Sequence, residues 1–249
     1  METDLFGEYL FKIRPFEVDF RGKLTLPHLT NYILQAAGYH AEECGFGIME
    51  VNRDNHSWVL SRLVVEMINY PTHNESIRIQ TWVENVMRMF TLRNFSFLDK
   101  EGKIVGYART IWAMIDRTTR KPLNLSATNI HNFFCKKECP IASSTKIPSL
   151  EGEPKEMFTI KYSDVDFNQH LNSSKYVEHV IDAFTLHKFR KRDIHRFEIE
   201  FMAEAKFGET VALYKQENLD NEFYIELKNK NNFTLSKSRV KFEAQPNKA

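Results

Sequence analysis

A short polar run in the second half of the chain carries side chains that could do acid–base chemistry. Asp166, Asn168 and His170 alternate with Phe167 and Gln169. Histidine transfers protons near neutral pH, and asparagine can donate a hydrogen bond to a carbonyl oxygen. A carboxylate can orient a base, hold water or attack. If the run is extended at a strand end, alternate side chains point the same way, so three polar groups are predicted to converge.

A second carboxylate, Glu204, follows an alternating strand and precedes Gly208. We expect apolar surroundings at this position, which would suit a general base. Asn172 follows the polar run, and its type fits either a helix cap or a support for the site. Tyr176, a turn further on, is predicted to belong to the core.

The elements that must position these residues alternate in a regular order. A helix is predicted to begin near Pro27 and to end before Gly45, because apolar residues between them recur at helical spacing. A hairpin turn is predicted at 99–103. The predicted strands of this half are 11–20, 57–70, 76–84, 90–98 and 104–115.

The second half repeats this order. A strand at 162–167 and a helix at 174–190 are predicted, followed by strands at 196–202, 210–216, 222–228 and 233–242. The stretch between the halves is rich in Ser, Pro and Gly, which is typical of a connection. We therefore predict domains at 1–128 and 156–249, joined by a linker at 129–155.

Residue-by-residue comparison of the halves indicates a duplication. Residues 18–24 align without a gap with 165–171, and 62–67 align with 196–201. The polar residues of the second copy are replaced in the first: Arg21 for Asn168, Lys23 for His170 and Tyr70 for Glu204. One working site is therefore predicted, in the second half.

Two motifs resemble a known family. The run SDVDFNQHLNSSKY at 163–176 strongly resembles the signature of acyl–acyl-carrier-protein (acyl-ACP) thioesterases of plant plastids and bacteria, and IEFMAE at 199–204 resembles their second motif. The similarity extends over roughly 8–245 and includes LQAAGYHA at 34–41 and WVLSR at 58–62. It implies an α+β fold of two tandem hot-dog domains, a double hot-dog in which each half is a long helix wrapped by an antiparallel sheet.

The resemblance also implies an activity and its residues. Asp166, Asn168, His170 and Glu204 fall on the family's catalytic positions, and the expected reaction is hydrolysis of fatty acyl-ACP to free fatty acid and holo-carrier. The first domain would then hold a degenerate site and the acyl-chain pocket. Its phenylalanines and four methionines are candidate lining, although core packing is the commoner role for any one of them: Met49, Met67, Met87 and Met89. Plant members often carry Cys directly after the catalytic Glu, whereas this chain has Ala205, so a Cys–His mechanism at that position is excluded.

A basic cluster follows the second predicted helix and comprises Lys188, Arg190, Lys191 and Arg192. It could be a solvated helix C-terminus favoured by the helix dipole. The alternative is a substrate-binding dock for the acidic acyl carrier protein, because charge complementarity speeds encounter.

Composition bounds the remaining possibilities. The net charge of +1 gives no bulk attraction to nucleic acid, and no apolar run reaches the length of a membrane helix. Three cysteines argue against a disulfide scaffold, and the start does not resemble a targeting peptide, so a cytoplasmic protein is expected. No metal or organic cofactor is implied, and a homodimer is left open.

Alternatives remain at this point. An acyl-CoA thioesterase would use similar residues, a non-catalytic acyl-carrier-binding protein would release no thiol, and a hot-dog dehydratase would leave the thioester intact. The nucleophile is also open. In one mechanism Glu204 and His170 activate water, Asn168 holds the thioester carbonyl and Asp166 orients the reacting group. In the other, Asp166 attacks the thioester and forms an anhydride.

Overall fold

The computed structural model describes residues 5–127, 130, 134–219 and 221–244. The chain divides into two compact units, Met1–Ser143 (unit 1) and Ser144–Ala249 (unit 2). The boundary between them lies inside the segment that the sequence predicts as a linker.

Unit 1 begins with a short strand and one long helix, which are followed by antiparallel strands. Its elements are β1 (Gly7–Lys12), α1 (Leu26–Glu43), α2 (Ile48–Arg53), β2 (His56–Met67), β3 (Ser76–Val86), β4 (Thr91–Leu98) and β5 (Ile104–Asp116). The strands pair antiparallel in the order β1-β3-β4-β5-β2. The predicted hairpin is confirmed, since β4 and β5 are joined by a turn in which Asp99 N donates to Lys103 O.

The long helix of unit 1 buries one face. Leu29, Ile33 and Ala36 are fully buried, at the helical spacing that the sequence shows. The helix ends as predicted, because Gly45 takes a φ of +76° that glycine adopts without strain. Trp82 on β3 is also fully buried, in a separate cluster with Val64, Cys139 and Ile141.

Unit 2 has the same order of elements. They are β6 (Glu156–Thr159), α3 (Ser173–Asp182), α4 (Leu186–Lys191), β7 (Arg192–Phe201), β8 (Thr210–Leu219), β9 (Glu222–Asn229) and β10 (Thr234–Ala244). The strands pair antiparallel in the order β7-β10-β9-β8-β6. Helix α3 packs against this sheet, with Tyr176 meeting the ring of Phe201 edge-on at 5.5 Å.

The strands predicted at 11–20 and 162–167 are wrong. Strand β1 ends at Lys12, and the chain then forms a 3₁₀ turn at Pro15–Glu17. The equivalent turn in unit 2 is Tyr162–Asp164. In each case an acidic side chain closes the turn by accepting from a backbone N–H three residues earlier, a local hydrogen bond that competes with a strand.

The single helix predicted at 174–190 is also wrong, because it is two helices. Thr185 begins the second one, and its hydroxyl accepts from Lys188 N. Phe184 lies at the break and is buried, with its ring 4.9 Å from that of Phe242 and 5.1 Å from that of Phe223. Burial of this ring among aromatic neighbours favours the break over a continuous helix.

The predicted fold class is confirmed. Each unit packs helix against an antiparallel sheet in the same element order, which is a tandem hot-dog arrangement. Within the described residues, no helix combines the length and apolar character needed to cross a bilayer.

Two glycines provide a test of the packing in unit 1. A Cβ on Gly106 would lie 2.7 Å from the backbone oxygen of Glu66 and 2.7 Å from the Met67 sulfur, whereas one on Gly38 in α1 would meet nothing within 4 Å. We expect Gly106→Ala to lower the free energy of unfolding by about 1–3 kcal/mol. Gly38→Ala should raise it by about 0.5–1 kcal/mol through helix propensity. Urea unfolding of both variants measures this, and equal stabilities would contradict it.

Candidate active site

The polar run at 166–170 is a closed turn, so the extended conformation assumed from the sequence is wrong. Val165 and Leu171 form a bridge across it, and Asp166 N donates to His170 O at 2.8 Å. Gln169 has a φ of +64°, in the left-handed region that a non-glycine residue rarely adopts. The polar side chains are therefore placed by turn geometry and not by strand alternation.

The carboxylate of Asp166 holds this turn. Its Oδ1 accepts from Asn168 N at 2.8 Å and from His170 N at 3.2 Å. Hydrogen bonds to an ionised acceptor are stronger than neutral ones. Asp166 therefore fixes the backbone at the two positions whose side chains were predicted to do chemistry.

The segment after β7 lies directly beside the turn. Leu171 N donates to Ala205 O at 2.8 Å, and His170 forms a bridge with Lys206. The hydroxyl of Tyr176 donates to Ala203 O at 3.1 Å, and burial raises the pKa of this phenol above its usual range. Glu204 lies between Ala203 and Ala205, so hydrogen bonds to the backbone oxygens on both sides fix its position.

The structure brings His170 and Glu204 together. His170 Nε2 lies 3.4 Å from Glu204 Oε2, and the two side chains are 21% and 38% exposed. An ionised carboxylate can only accept, so a hydrogen bond across this gap needs Nε2–H as the donor, and a neutral ring would then have Nδ1 as its acceptor. The pair is open to solvent, so the apolar surroundings expected around Glu204 are wrong. Ala205, directly after Glu204, is fully buried.

The two asparagines of the run differ in their contacts. Asn168 is exposed, and its side chain makes no hydrogen bond within the part of the chain that the structure describes. Its amide is free to meet a ligand. Asn172 caps α3, since its Oδ1 accepts from Ser174 N and Ser174 Oγ, both at 3.0 Å. The capping alternative therefore accounts for the observed contacts of Asn172.

The side chains of the basic cluster differ in their exposure. Lys188 Nζ donates to Asn221 Oδ1 at 2.9 Å and lies 4.6 Å from the ring centroid of Phe223. Arg192 is partly buried at the start of β7. Arg190 and Lys191 are exposed on α4, so they present the charge of this cluster to solvent.

Unit 1 contains the same turn without the same chemistry. Asp19 Oδ1 accepts from Arg21 N at 2.8 Å and from Lys23 N at 3.2 Å, the distances seen in unit 2. Gly22 has a φ of +76° at the position of Gln169. The second oxygen of Asp19 accepts from Arg21 Nε at 2.8 Å. The carboxylate of this turn thus has a structural role even where no histidine follows.

The second anchor is duplicated as well. Leu24 N donates to Pro71 O at 2.8 Å, and Lys23 forms a bridge with Thr72. These pairs match those of Leu171 in unit 2, so Tyr70 occupies the place of Glu204. The duplication inferred from sequence is confirmed at the level of individual hydrogen bonds.

Unit 1 also contains a largely apolar cavity of about 190 Å³. Its walls include Leu34, Ala37, Phe46, Trp58, Val83 and Trp112. The methionines proposed as lining do not line it in the described part of the chain: Met67 is buried in the core, while Met49 and Met87 are 62% and 40% exposed.

One residue of this cavity was missed by the sequence reasoning. Arg93 lines the cavity and is only 4% exposed. It lies on the same face of β4 as Thr91, Phe95 and Phe97, and all three of these residues are buried. A basic residue at an inward position of a strand was the available signal.

The structure thus holds an imidazole and a carboxylate side by side at a duplicated turn in a tandem hot-dog protein. The chain matches the family model described as Acyl-ACP thioesterase N-terminal domain over residues 6–133 and the one described as Acyl-ACP thioesterase C-terminal domain over residues 149–244. The chain belongs to the acyl-ACP thioesterase family, which confirms the resemblance seen in its motifs.

Individual relatives agree with this. A crystal structure of an acyl-ACP thioesterase from Bacteroides thetaiotaomicron is 42% identical, with a TM-score of 0.92 over 98% of this chain and 100% of that one. Oleoyl-acyl carrier protein thioesterase 2 of Arabidopsis thaliana is 24% identical over 96% of this chain, and palmitoyl-acyl carrier protein thioesterase of Gossypium hirsutum is 26% identical over 78%. The matched regions span 70% and 51% of these two curated relatives.

Proposed function

We propose that the chain hydrolyses the thioester of fatty acyl-ACP, releasing free fatty acid and the holo-carrier. The observation that carries this is the pair of His170 and Glu204, 3.4 Å apart, in the unit that matches the family's C-terminal domain. The same turn in unit 1 lacks both groups. A binding protein would have no need for an imidazole and a carboxylate at this one turn.

The pair supplies a base for water. Glu204 accepts from His170 Nε2 and stabilises the imidazolium that forms when Nδ1 takes a proton from water. The water oxygen bonds to the thioester carbon, and the amide of Asn168 donates to the developing oxyanion. The C–S bond then breaks, and the imidazolium returns its proton to the leaving thiolate.

Asp166 is assigned a positioning role in this mechanism. One of its oxygens already accepts from two backbone N–H groups, and Asp19 makes the same two bonds where no chemistry is expected. The rival mechanism, in which Asp166 attacks the thioester, leaves this correspondence unexplained.

We propose that the acyl chain lies in the apolar cavity of unit 1. Tryptophan, phenylalanine and small aliphatic side chains in its walls suit a hydrocarbon. We propose that Arg190 and Lys191 form the exposed part of the dock for the acidic carrier. Lys188 and Arg192, which are partly buried, form the rest of this dock.

A cytoplasmic location is part of the same proposal. Cys44, Cys135 and Cys139 are all free thiols, as in a reducing compartment. Fractionation of the source cells with antibody detection tests it.

Removal of either member of the pair should abolish most turnover. We expect His170→Ala and Glu204→Gln each to lower kcat by at least about 10²-fold, because the base or its partner is lost. Free-thiol release from acyl-ACP measures this. Lys23→Ala, at the position of His170 in unit 1, is the matched control and should leave kcat unchanged. Wild-type rates in His170→Ala would refute the mechanism.

The role of Asp166 is tested separately. Asparagine keeps an oxygen that can accept both backbone N–H groups but cannot form an anhydride, so Asp166→Asn should retain turnover within about tenfold of wild type. A single turnover in ¹⁸O-labelled water should leave the enzyme unlabelled. Label in the Asp166 carboxylate, with inactive Asp166→Asn, would establish the nucleophilic alternative. Asp19→Asn controls for effects on the turn.

Charge reversal at the dock should discriminate between carriers. We expect the double change Arg190→Glu with Lys191→Glu to lower kcat/KM for acyl-ACP about tenfold at low salt, since encounter with an acidic partner is electrostatic. The value for acyl-CoA should stay the same. Lys100→Glu with Lys103→Glu, on the exposed hairpin of unit 1, is the matched control. An equal fall in kcat/KM for both substrates would contradict a carrier-specific dock. Faster hydrolysis of acyl-CoA than of acyl-ACP by the wild type would favour the acyl-CoA thioesterase alternative.

A further inference from the structure

A buried cation lies in the wall of the unit 1 cavity. Arg93 Nη1 donates to His40 Nδ1 at 2.9 Å and to Thr81 Oγ1 at 3.2 Å. Since a guanidinium can only donate, His40 Nδ1 is the acceptor and this ring is neutral. Both partners of the guanidinium are therefore uncharged.

No anion balances this charge within the described residues. The side chain of Arg93 has no carboxylate within ion-pair distance there and makes no hydrogen bond beyond the two from Nη1. The Cys44 thiol and the Tyr9 phenol remain neutral because burial raises the pKa of each, and the carboxylate of Glu43 is exposed and accepts from the Tyr9 hydroxyl at 2.7 Å. Burial lowers the pKa of Arg93 to about 10, so the guanidinium is still charged at neutral pH.

This arrangement is costly for the protein alone. Buried charges in proteins are paired or bind a ligand, since desolvation of an isolated ion costs several kcal/mol. The donors that Arg93 leaves unused match the two oxygens of a carboxylate, to which arginine binds in a fork. The rest of the wall is apolar and includes Trp58, Trp112 and Phe46.

We propose that this cavity binds an aliphatic carboxylate, with the carboxylate on Arg93 and the hydrocarbon tail along the apolar wall. The inference rests on the proposed function in one respect, because the fatty acid released by hydrolysis is such a carboxylate. The product then competes with the acyl chain for the cavity and slows turnover. An inorganic anion lacks the tail, and a long-chain alcohol lacks the charge, so both bind more weakly.

The full chain, carrying His170→Ala to exclude turnover, can be titrated with sodium decanoate below its micellar range. Two of the three tryptophans line the cavity, so quenching of intrinsic fluorescence reports binding, and calorimetry gives the affinity independently. We expect saturable binding of decanoate with an affinity at least about tenfold above that of decanol, the value of one charge-assisted hydrogen bond. Inorganic phosphate should give no signal.

Substitutions locate both ends of the ligand. Arg93→Met should weaken decanoate binding about tenfold or more without affecting decanol, and Arg93→Lys should be intermediate. Gly38→Leu, which projects from α1 into the lined space, should weaken both ligands. Arg78→Met, on the exposed side of β3, is the matched control. Thermal unfolding verifies the fold, and Arg93→Met should melt no lower than wild type because it removes an unpaired buried cation.

Inhibition of hydrolysis tests the same site independently of the binding measurements. Decanoate should inhibit hydrolysis of acyl-ACP by the wild type but not by Arg93→Met. Equal binding of decanoate and decanol, or unchanged decanoate binding in a folded Arg93→Met variant, overturns the carboxylate site even if hydrolysis is normal. If no thioester is hydrolysed, the proposed function fails, while saturable binding of decanoate that depends on Arg93 still supports the site.

Discussion

The backbone pairing between the turn at 166–170 and the segment after β7 is the constraint on which the site depends. Leu171 N and Ala205 O, 2.8 Å apart, join two stretches that are distant in sequence. That bond places His170 next to Glu204 without any contribution from an attraction between the two side chains. The contact between the two side chains is partly open to water, where such interactions are worth little, so it is the result of this geometry and not its cause.

Duplication separates the frame from the chemistry. The Asp-capped turn, the residue with positive φ and the bridge to the neighbouring segment occur in both units with nearly the same distances. The side chains on the turn differ, with Arg21 in place of Asn168 and Lys23 in place of His170. In unit 1 Arg21 neutralises the second oxygen of Asp19, and in unit 2 the corresponding oxygen of Asp166 faces no such partner among the described residues.

The sequence was sufficient for the architecture and for the residues of the turn. Helix periodicity, the alignment of the two halves and long motifs predicted the tandem fold, and placed Asp166, His170 and Glu204 correctly relative to the repeat. Local hydrogen bonds were less predictable: the 3₁₀ turns, the helix break at Phe184 and the closed turn depend on contacts that propensity does not reveal. Arg93 was missed although it alternates with Thr91, Phe95 and Phe97, because the prediction of this strand did not assign its inward face.

The doubled turn has a consequence for how damage to this protein would be noticed. The contacts that hold the two turns come from Asp19, Asp166 and backbone groups, and none of these bonds uses the imidazole of His170 or the carboxylate of Glu204. Loss of the imidazole and the carboxylate would leave these turn contacts in place. A stability screen is therefore a poor detector of such a loss, whereas an assay of thiol release tests the proposed reaction directly.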